Sequence, residues 1–216
     1  MELGYWKIRG RAQSIRLLLE YTAERYSETF YQCGPAPDYD KSGWLQVKES
    51  MGLDFPNLPY LIHDGNRLTQ TNAILRYIGR RHDMVGKTEE DHMRLDLLDN
   101  QLMDFRNGFS RLCYSADFEK LRPEYIKTAL VTIGRFSKFL GEKDWLVGEK
   151  PTVVDFLFYE LLDCHRILEA SLLKTFDNLV RYVKRFEDLP RIKAYMASDR
   201  FMRAPLNNTI ATFGSE

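Results

Sequence analysis

One helical seam constrains this chain more than any other feature. Leu95, Leu98, Leu102, Phe105, Phe109 and Leu112 recur at intervals of 3, 4, 3, 4 and 3. That spacing puts them on one face of a single continuous helix. Thr88, followed by Glu89, Glu90 and Asp91, supplies an N-cap and the acids that suit a first turn. Further helical patterns cover 124–140, 153–169 and 178–198. Thr152-Val153-Val154-Asp155 has capping-box spacing, with Asp in place of Glu or Gln. No strand pattern of comparable strength occurs beyond residue 90, so the spacing predicts an all-helical C-terminal domain.

The first 80 or so residues follow a different grammar. Residues 3–8 read as a strand, Ser14 to Tyr21 as an amphipathic helix and 27–32 as a second strand. Gly34-Pro35-Ala36-Pro37-Asp38 reads as a loop. Tyr60-Leu61-Ile62 and Arg67-Leu68-Thr69 flank His63-Asp64-Gly65-Asn66, where Asp-Gly signals a hairpin. A helix from about Thr71 to Arg81 closes the unit. The expected fold class is α/β plus all-α: a βαβ-ββα domain at 1–82, a linker at 83–89 and a helical domain at 90–216.

Charge and cysteine content exclude several functions. The 31 basic and 31 acidic residues cancel, which leaves no electrostatic footprint for nucleic acid. No apolar run approaches the roughly 18 residues of a bilayer span, so no membrane partner is expected. The N-terminus lacks the basic and apolar regions of a signal peptide. Cys33, Cys113 and Cys164 are odd in number and widely spaced, which fits a reducing, cytoplasmic setting. His63, His82, His92 and His165 lack metal-ligand spacing. No Gly-x-Gly-x-x-Gly is present. No metal or cofactor is expected.

Several positions carry chemistry while also admitting an ordinary structural role. Pro59, inside Asn57-Leu58-Pro59-Tyr60, cannot donate to a sheet ladder. A cis Leu58–Pro59 bond would turn the Leu58 backbone outward to pair with an extended peptide, although base rates favour trans. Gln70 and Thr71 stand at a helix start, where unpaired N–H groups suit a carboxylate. Tyr5 is either a sheet-core aromatic like Trp6 or a hydroxyl that donates to a thiolate or oxyanion. Lys41, Trp44 and Lys48 form either a solvated turn or a carboxylate site. Asp104, with Asn100 and Asn107, lies off the apolar seam and reads as a polar face. Phe55 either tucks under its own domain or plugs a partner. Asp163-Cys164-His165 is discounted as a nucleophile, because helix neighbours point apart.

The chain resembles the cytosolic glutathione transferases, and within them the mu class, over essentially its full length. The resembling stretches are Leu3-Gly4-Tyr5-Trp6 with Ile8-Arg9-Gly10, Ile15-Arg16-Leu17-Leu18-Leu19-Glu20-Tyr21 and Ala36-Pro37-Asp38-Tyr39-Asp40. Others are 52–61, Thr69-Gln70-Thr71-Asn72-Ala73-Ile74-Leu75 and Val154-Asp155-Phe156-Leu157. The resemblance implies a thioredoxin-like N-terminal domain and a homodimer. It implies conjugation of the thiolate of glutathione, as co-substrate, to small hydrophobic electrophiles such as aryl halides, epoxides and enones. Tyr5 then matches the catalytic hydroxyl. Trp6, Lys41, Trp44, Lys48, Asn57, Leu58, Gln70 and Thr71 match glutathione-binding positions, and Pro59 the cis-proline. Asp104 matches an acid that reaches the glutathione of the partner subunit, Phe55 the aromatic key of the dimer, and Tyr114 a tyrosine on the electrophile side.

Four positions depart from the commoner pattern. Lys41 replaces an arginine and loses bidentate geometry. Arg11, Asn207 and Asn208 stand where apolar side chains are usual, which implies a more polar electrophile pocket. Arg11 is expected at its mouth, partly in water. A non-catalytic carrier of glutathione or hydrophobic ligands, or a glutathione-dependent isomerase, would use the same scaffold.

Overall fold

The computed structural model describes residues 1–216. Strands β1 (Glu2–Trp6), β2 (Ser27–Tyr31), β3 (Tyr60–His63) and β4 (Asn66–Thr69) form one sheet in the order β2-β1-β3-β4. β1 pairs parallel with β2, which requires the crossover helix α1 (Gln13–Thr22) between them. β3 runs antiparallel to β1 and to β4. The β3–β4 hairpin turns at Asp64 and Gly65, both at positive φ (48° and 81°), as an Asp-Gly turn of the primed type requires. Short α2 (Ser42–Leu45) and a 3-10 turn at Lys48–Ser50 lead into β3, and α3 (Thr71–Arg81) follows β4. The N-terminal part is thioredoxin-like, with helices beside a four-stranded mixed sheet.

The remainder is helical: α4 (Glu89–Cys113), α5 (Phe118–Leu140), α6 (Val153–Leu168), α7 (Asp177–Glu187) and α8 (Pro190–Met196). All six seam residues of α4 are buried. Capping boxes form at Thr88–Asp91 and Thr152–Asp155, each acid returning to the N-cap backbone. The pattern at 178–198 is two helices rather than one. It breaks at Leu189 because Pro190 cannot continue a helix yet suits a first helical position. α6 is buried on every side from Val153 to His165, and α1 packs on both α6 and α8. One cluster of 45 buried residues runs from Leu3 to Phe201, so sheet and bundle share a core.

Several of the charged and polar groups inside that core are paired. Arg9, 2% exposed, meets Glu160 through two hydrogen bonds (3.1 and 2.6 Å) and Asp163 through a third (2.6 Å). Arg16 donates to Glu28 and to the Ile8 carbonyl. His165 lies stacked on Phe105 at 4.0 Å; its Nδ1–H donates to the Leu161 carbonyl and its Nε2 accepts from the Tyr125 hydroxyl, both at 2.7 Å. Burial, with Arg106 adding to it, lowers its pKa to about 4. The unfolded chain has an ordinary imidazole near 6.5. Stability is therefore complete above pH 6.5 and is lost as pH falls toward 4, because only the unfolded state takes the proton. At pH 5 the expected loss is about 2 kcal/mol relative to pH 7.5. Chemical denaturation at fixed protomer concentration checks this, with His165→Gln lacking that component. Equal pH dependence in both proteins would contradict it.

Candidate functional site

The C-terminal end of β1 carries the site. The middle of the strand, Leu3, Gly4 and Tyr5, is buried, leaving Tyr5 5% exposed. After Trp6 the chain turns, and the Arg11 backbone N–H donates to the Tyr5 hydroxyl oxygen at 2.9 Å. Gly10 makes that approach possible. It sits at φ 45°, and a Cβ there would lie 2.6 Å from the Tyr5 hydroxyl oxygen. An acceptor bond of this kind leaves the phenolic hydrogen free and makes it a better donor.

The first turn of α3 abuts the same loop. Thr71 Oγ1 donates to the Arg11 carbonyl at 3.1 Å. Gln70, ahead of it, has φ 72° and supplies the carbonyl for the first intrahelical bond, from Ile74. The N–H groups of the opening turn have no helical partner, which suits a carboxylate. The Leu58–Pro59 bond is cis, as the family pattern implies and against the base rate. The Leu58 N–H donates to Asn57 Oδ1 at 2.8 Å. A peptide pairing there must therefore share or displace that carboxamide.

An aromatic chain backs this edge. Trp6 meets Tyr31 edge-on, Tyr31 meets Trp44 at 5.2 Å, and Trp44 stacks on Tyr60 at 6.2 Å. Trp44 is thus buried rather than part of a solvated turn. It does not share one regular turn with Lys48, since α2 ends at Leu45 and a 3-10 turn begins at Lys48. Lys41 and Lys48 are half-buried, and Lys48 pairs with neighbouring Glu49 at 3.3 Å.

The helical part supplies the opposite wall. Tyr114, 40% exposed at the end of α4, accepts the Asn208 N–H at its hydroxyl oxygen (2.9 Å). Burial raises its pKa. Arg11 is half-buried, and its Nη2 donates to Asn107 Oδ1 at 2.9 Å. Asn207 departs from the expected polar wall. It is 6% exposed, and its amide holds the C-terminal turn by donating to the Phe213 carbonyl (2.9 Å). Asp104 is exposed on α4 and makes no ion pair within the chain. Phe55 is 77% exposed and does not tuck under its own sheet. Asp163, Cys164 and His165 are all buried in α6, with the Cys164 thiol pushed well up by burial, so no nucleophile exists there.

Sequence reasoning missed three contributors. Gly10 shows its role only once Tyr5 is placed against it. Thr209 Oγ1 donates to the Gly34 carbonyl at 2.9 Å and ties the C-terminal segment to the 34–38 loop. Arg106, 4% exposed, sits between Leu102 and Phe109 at helical spacing. A cation on the flank of an apolar seam was the available signal.

Comparison with known proteins agrees with this geometry. Residues 1–80 match the glutathione S-transferase N-terminal domain and residues 103–199 its C-terminal domain. The chain is 55% identical to glutathione S-transferase Mu 4 of Mus musculus and 54% identical to glutathione S-transferase Mu 1 of Bos taurus. Each match covers 100% of this chain and 99% of the relative. Among solved structures, the glutathione S-transferase Blo t 8 superposes with a TM-score of 0.92 at 31% identity, over 99% of this chain and 100% of that one. A Pi-class glutathione S-transferase of Onchocerca volvulus gives 0.85 at 26% identity, over 97% and 98%.

Proposed function

This chain belongs to the mu class of the glutathione S-transferases, and we propose that it joins glutathione sulfur to electrophilic carbon with Tyr5 as the hydroxyl that holds the thiolate. The observation that carries this reading is the Tyr5 hydroxyl, fixed by the Arg11 N–H at 2.9 Å beside the opening turn of α3. Only the thiolate of glutathione is a good nucleophile. A free thiol with pKa near 8.5 is mostly protonated at neutral pH. A hydrogen bond to the charged form contributes about 1.5–3 kcal/mol, which lowers that pKa by about one to two units. The C–S bond then forms as the leaving group departs, and the thiol proton has already gone to water.

In this reading Trp6, Lys41, Trp44, Lys48, Asn57, Leu58, Pro59, Gln70 and Thr71 hold the peptide, and positioning adds to rate. Asp104 completes the site of the partner subunit. Arg11, Tyr114 and Asn208 line the electrophile side, and Asn207 supports it from behind. The division at 1–82, 83–89 and 90–216 separates glutathione binding from electrophile binding. No helix is long and apolar enough to cross a membrane, and we place the enzyme in the cytoplasm with its mu-class relatives. Conjugation of glutathione to 1-chloro-2,4-dinitrobenzene tests the activity. Glutathione binding without any turnover of aryl chlorides, enones or epoxides would favour a carrier instead.

The homodimer rests on exposed apolar surface. Phe55 has no cover in its own chain, while an apolar cleft between α4 and α5 is lined by Leu97, Leu98, Phe136 and Phe139. Met93, Leu97, Leu130 and Val131 are exposed on these same helices. A two-fold interface uses each key twice. Burying one phenylalanine contributes about 1.5–3 kcal/mol, so Phe55→Ser is expected to weaken dimerisation by about 3–6 kcal/mol. Sedimentation equilibrium across a protomer dilution series reads this directly. A fully active monomeric wild type would overturn the assignment.

A further inference from the structure

Three arginines are buried in this protein, and one of them has no counter-charge. Arg9 closes on Glu160 and Asp163, and Arg16 on Glu28. Arg106 has Nε and Nη2 buried without any hydrogen-bond partner, and it joins no ion pair. Removing a cation from water costs several kcal/mol unless a partner compensates it. A buried polar group left unmet in a native fold calls for an explanation, and a bound anion is one that would satisfy a cation.

A second unpaired cation stands beside it. Arg11 makes no ion pair either, and its guanidinium reaches only the neutral Asn107, the residue after Arg106 on α4. The two charges disfavour one another: burial first, and then Arg106, lower the pKa of Arg11. An anion shared by both would offset the desolvation and the repulsion together. The location is not arbitrary. The backbone of Arg11 touches the Tyr5 hydroxyl, and Asn107 lies seven residues, two helical turns, before Tyr114 on the same face of α4.

We propose that Arg11 and Arg106, with Asn107 holding Arg11 in place, form an anion subsite beside Tyr5, and that the favoured electrophiles carry a carboxylate remote from the carbon under attack. The proposal rests on the conjugation reading above and adds to it a substrate class. With an aryl chloride the balance is simple. Glutathione sulfur bonds to the ring carbon, the C–Cl bond breaks, and chloride leaves with the bonding pair. The carboxylate stays intact on the arginines.

A matched pair of substrates tests it: 4-chloro-3-nitrobenzoate and the neutral 4-chloro-3-nitrobenzamide. The quantity read is the benzoate-to-benzamide ratio of kcat/KM. We expect Arg11→Met and Arg106→Met each to lower that ratio at least tenfold, and Arg106→Lys to retain part of it. Arg106→Met removes an unpaired buried charge and should melt no lower than wild type. If it does not fold, Arg11→Met against Arg11→Lys decides alone. Ratios within twofold of wild type in the methionine variants overturn the subsite. So does a raised KM for glutathione at an unchanged ratio, which would assign the arginines to a glutathione carboxylate. Failure of wild type to conjugate either compound, or any aryl chloride, counts against the enzymatic reading itself and is separable from these results.

Discussion

Tyr5→Phe is expected to lower kcat/KM for conjugation by roughly ten- to a hundredfold while the fold and glutathione binding persist. The change deletes one oxygen and leaves the ring in its buried place on β1. It removes a donor to a charged acceptor, a contribution of about 1.5–3 kcal/mol. The loss falls on the thiolate and the transition state rather than on the peptide ends of glutathione, so kcat should fall with KM for glutathione little changed. The thiolate absorbance of bound glutathione, followed against pH, should titrate about one to two units higher in the variant. An unshifted titration, or unchanged turnover where chemistry limits the rate, would remove Tyr5 from the catalytic role. The Arg11 N–H and the close approach at Gly10 would lose their hydroxyl partner too. The variant should therefore also show greater mobility of residues 7–12 by amide exchange.

Much of this arrangement was legible in the sequence because it depends on local rules. The seam from Leu95 to Leu112, the two Thr–Asp capping boxes and the Asp64-Gly65 hairpin each declare themselves over a few residues, and all are present. The break at Leu189 was equally local, marked by Pro190, but the apolar period runs through it and hid it. The site is another matter. Tyr5 read as a core aromatic on physics alone, and its geometry is indeed a core geometry. Its distinction comes from the loop that folds back on it, a contact periodicity cannot express. The family pattern pointed to Tyr5 and to the cis Leu58–Pro59 bond, where base rates pointed elsewhere. Neither route anticipated that Asn207 turns away to hold the C-terminal turn, or that Arg106 lies buried without a carboxylate. The first is a side-chain contact only six residues along the chain, in an irregular segment that has no periodicity to read, and the second depends on what other elements do or do not bring to α4.

Arg9→Met is expected to destabilise the protein by about 3–5 kcal/mol, because it removes one partner of a buried ion pair. Arg9 sits in Ile8-Arg9-Gly10, a stretch the sequence offered only as family likeness. In the structure it joins the loop after β1 to the interior of α6. Its guanidinium meets both oxygens of Glu160 and one of Asp163, and Asp163 continues to Arg166 and on to Glu187. Glu160 is fully buried and Asp163 nearly so. Without Arg9, Glu160 is left as an uncompensated acid in the shared core and can only protonate or drag in water. For a chain of this size that loss corresponds to a fall in Tm of roughly 6–20 °C. The Arg9 and Gly10 N–H groups also bond the Pro205 and Leu206 carbonyls (2.9 and 3.0 Å), so the same loop clasps the segment that reaches Asn208 and Tyr114. The variant should consequently lose part of its kcat well below its melting range. Thermal and denaturant unfolding at fixed protomer concentration measure the stability term. Combining Arg9→Met with Glu160→Gln and Asp163→Asn should recover much of it, because the penalty lies in the orphaned carboxylates rather than in the lost pair. A single variant less than about 1 kcal/mol below wild type would show that this buried network does not join the sheet to the bundle.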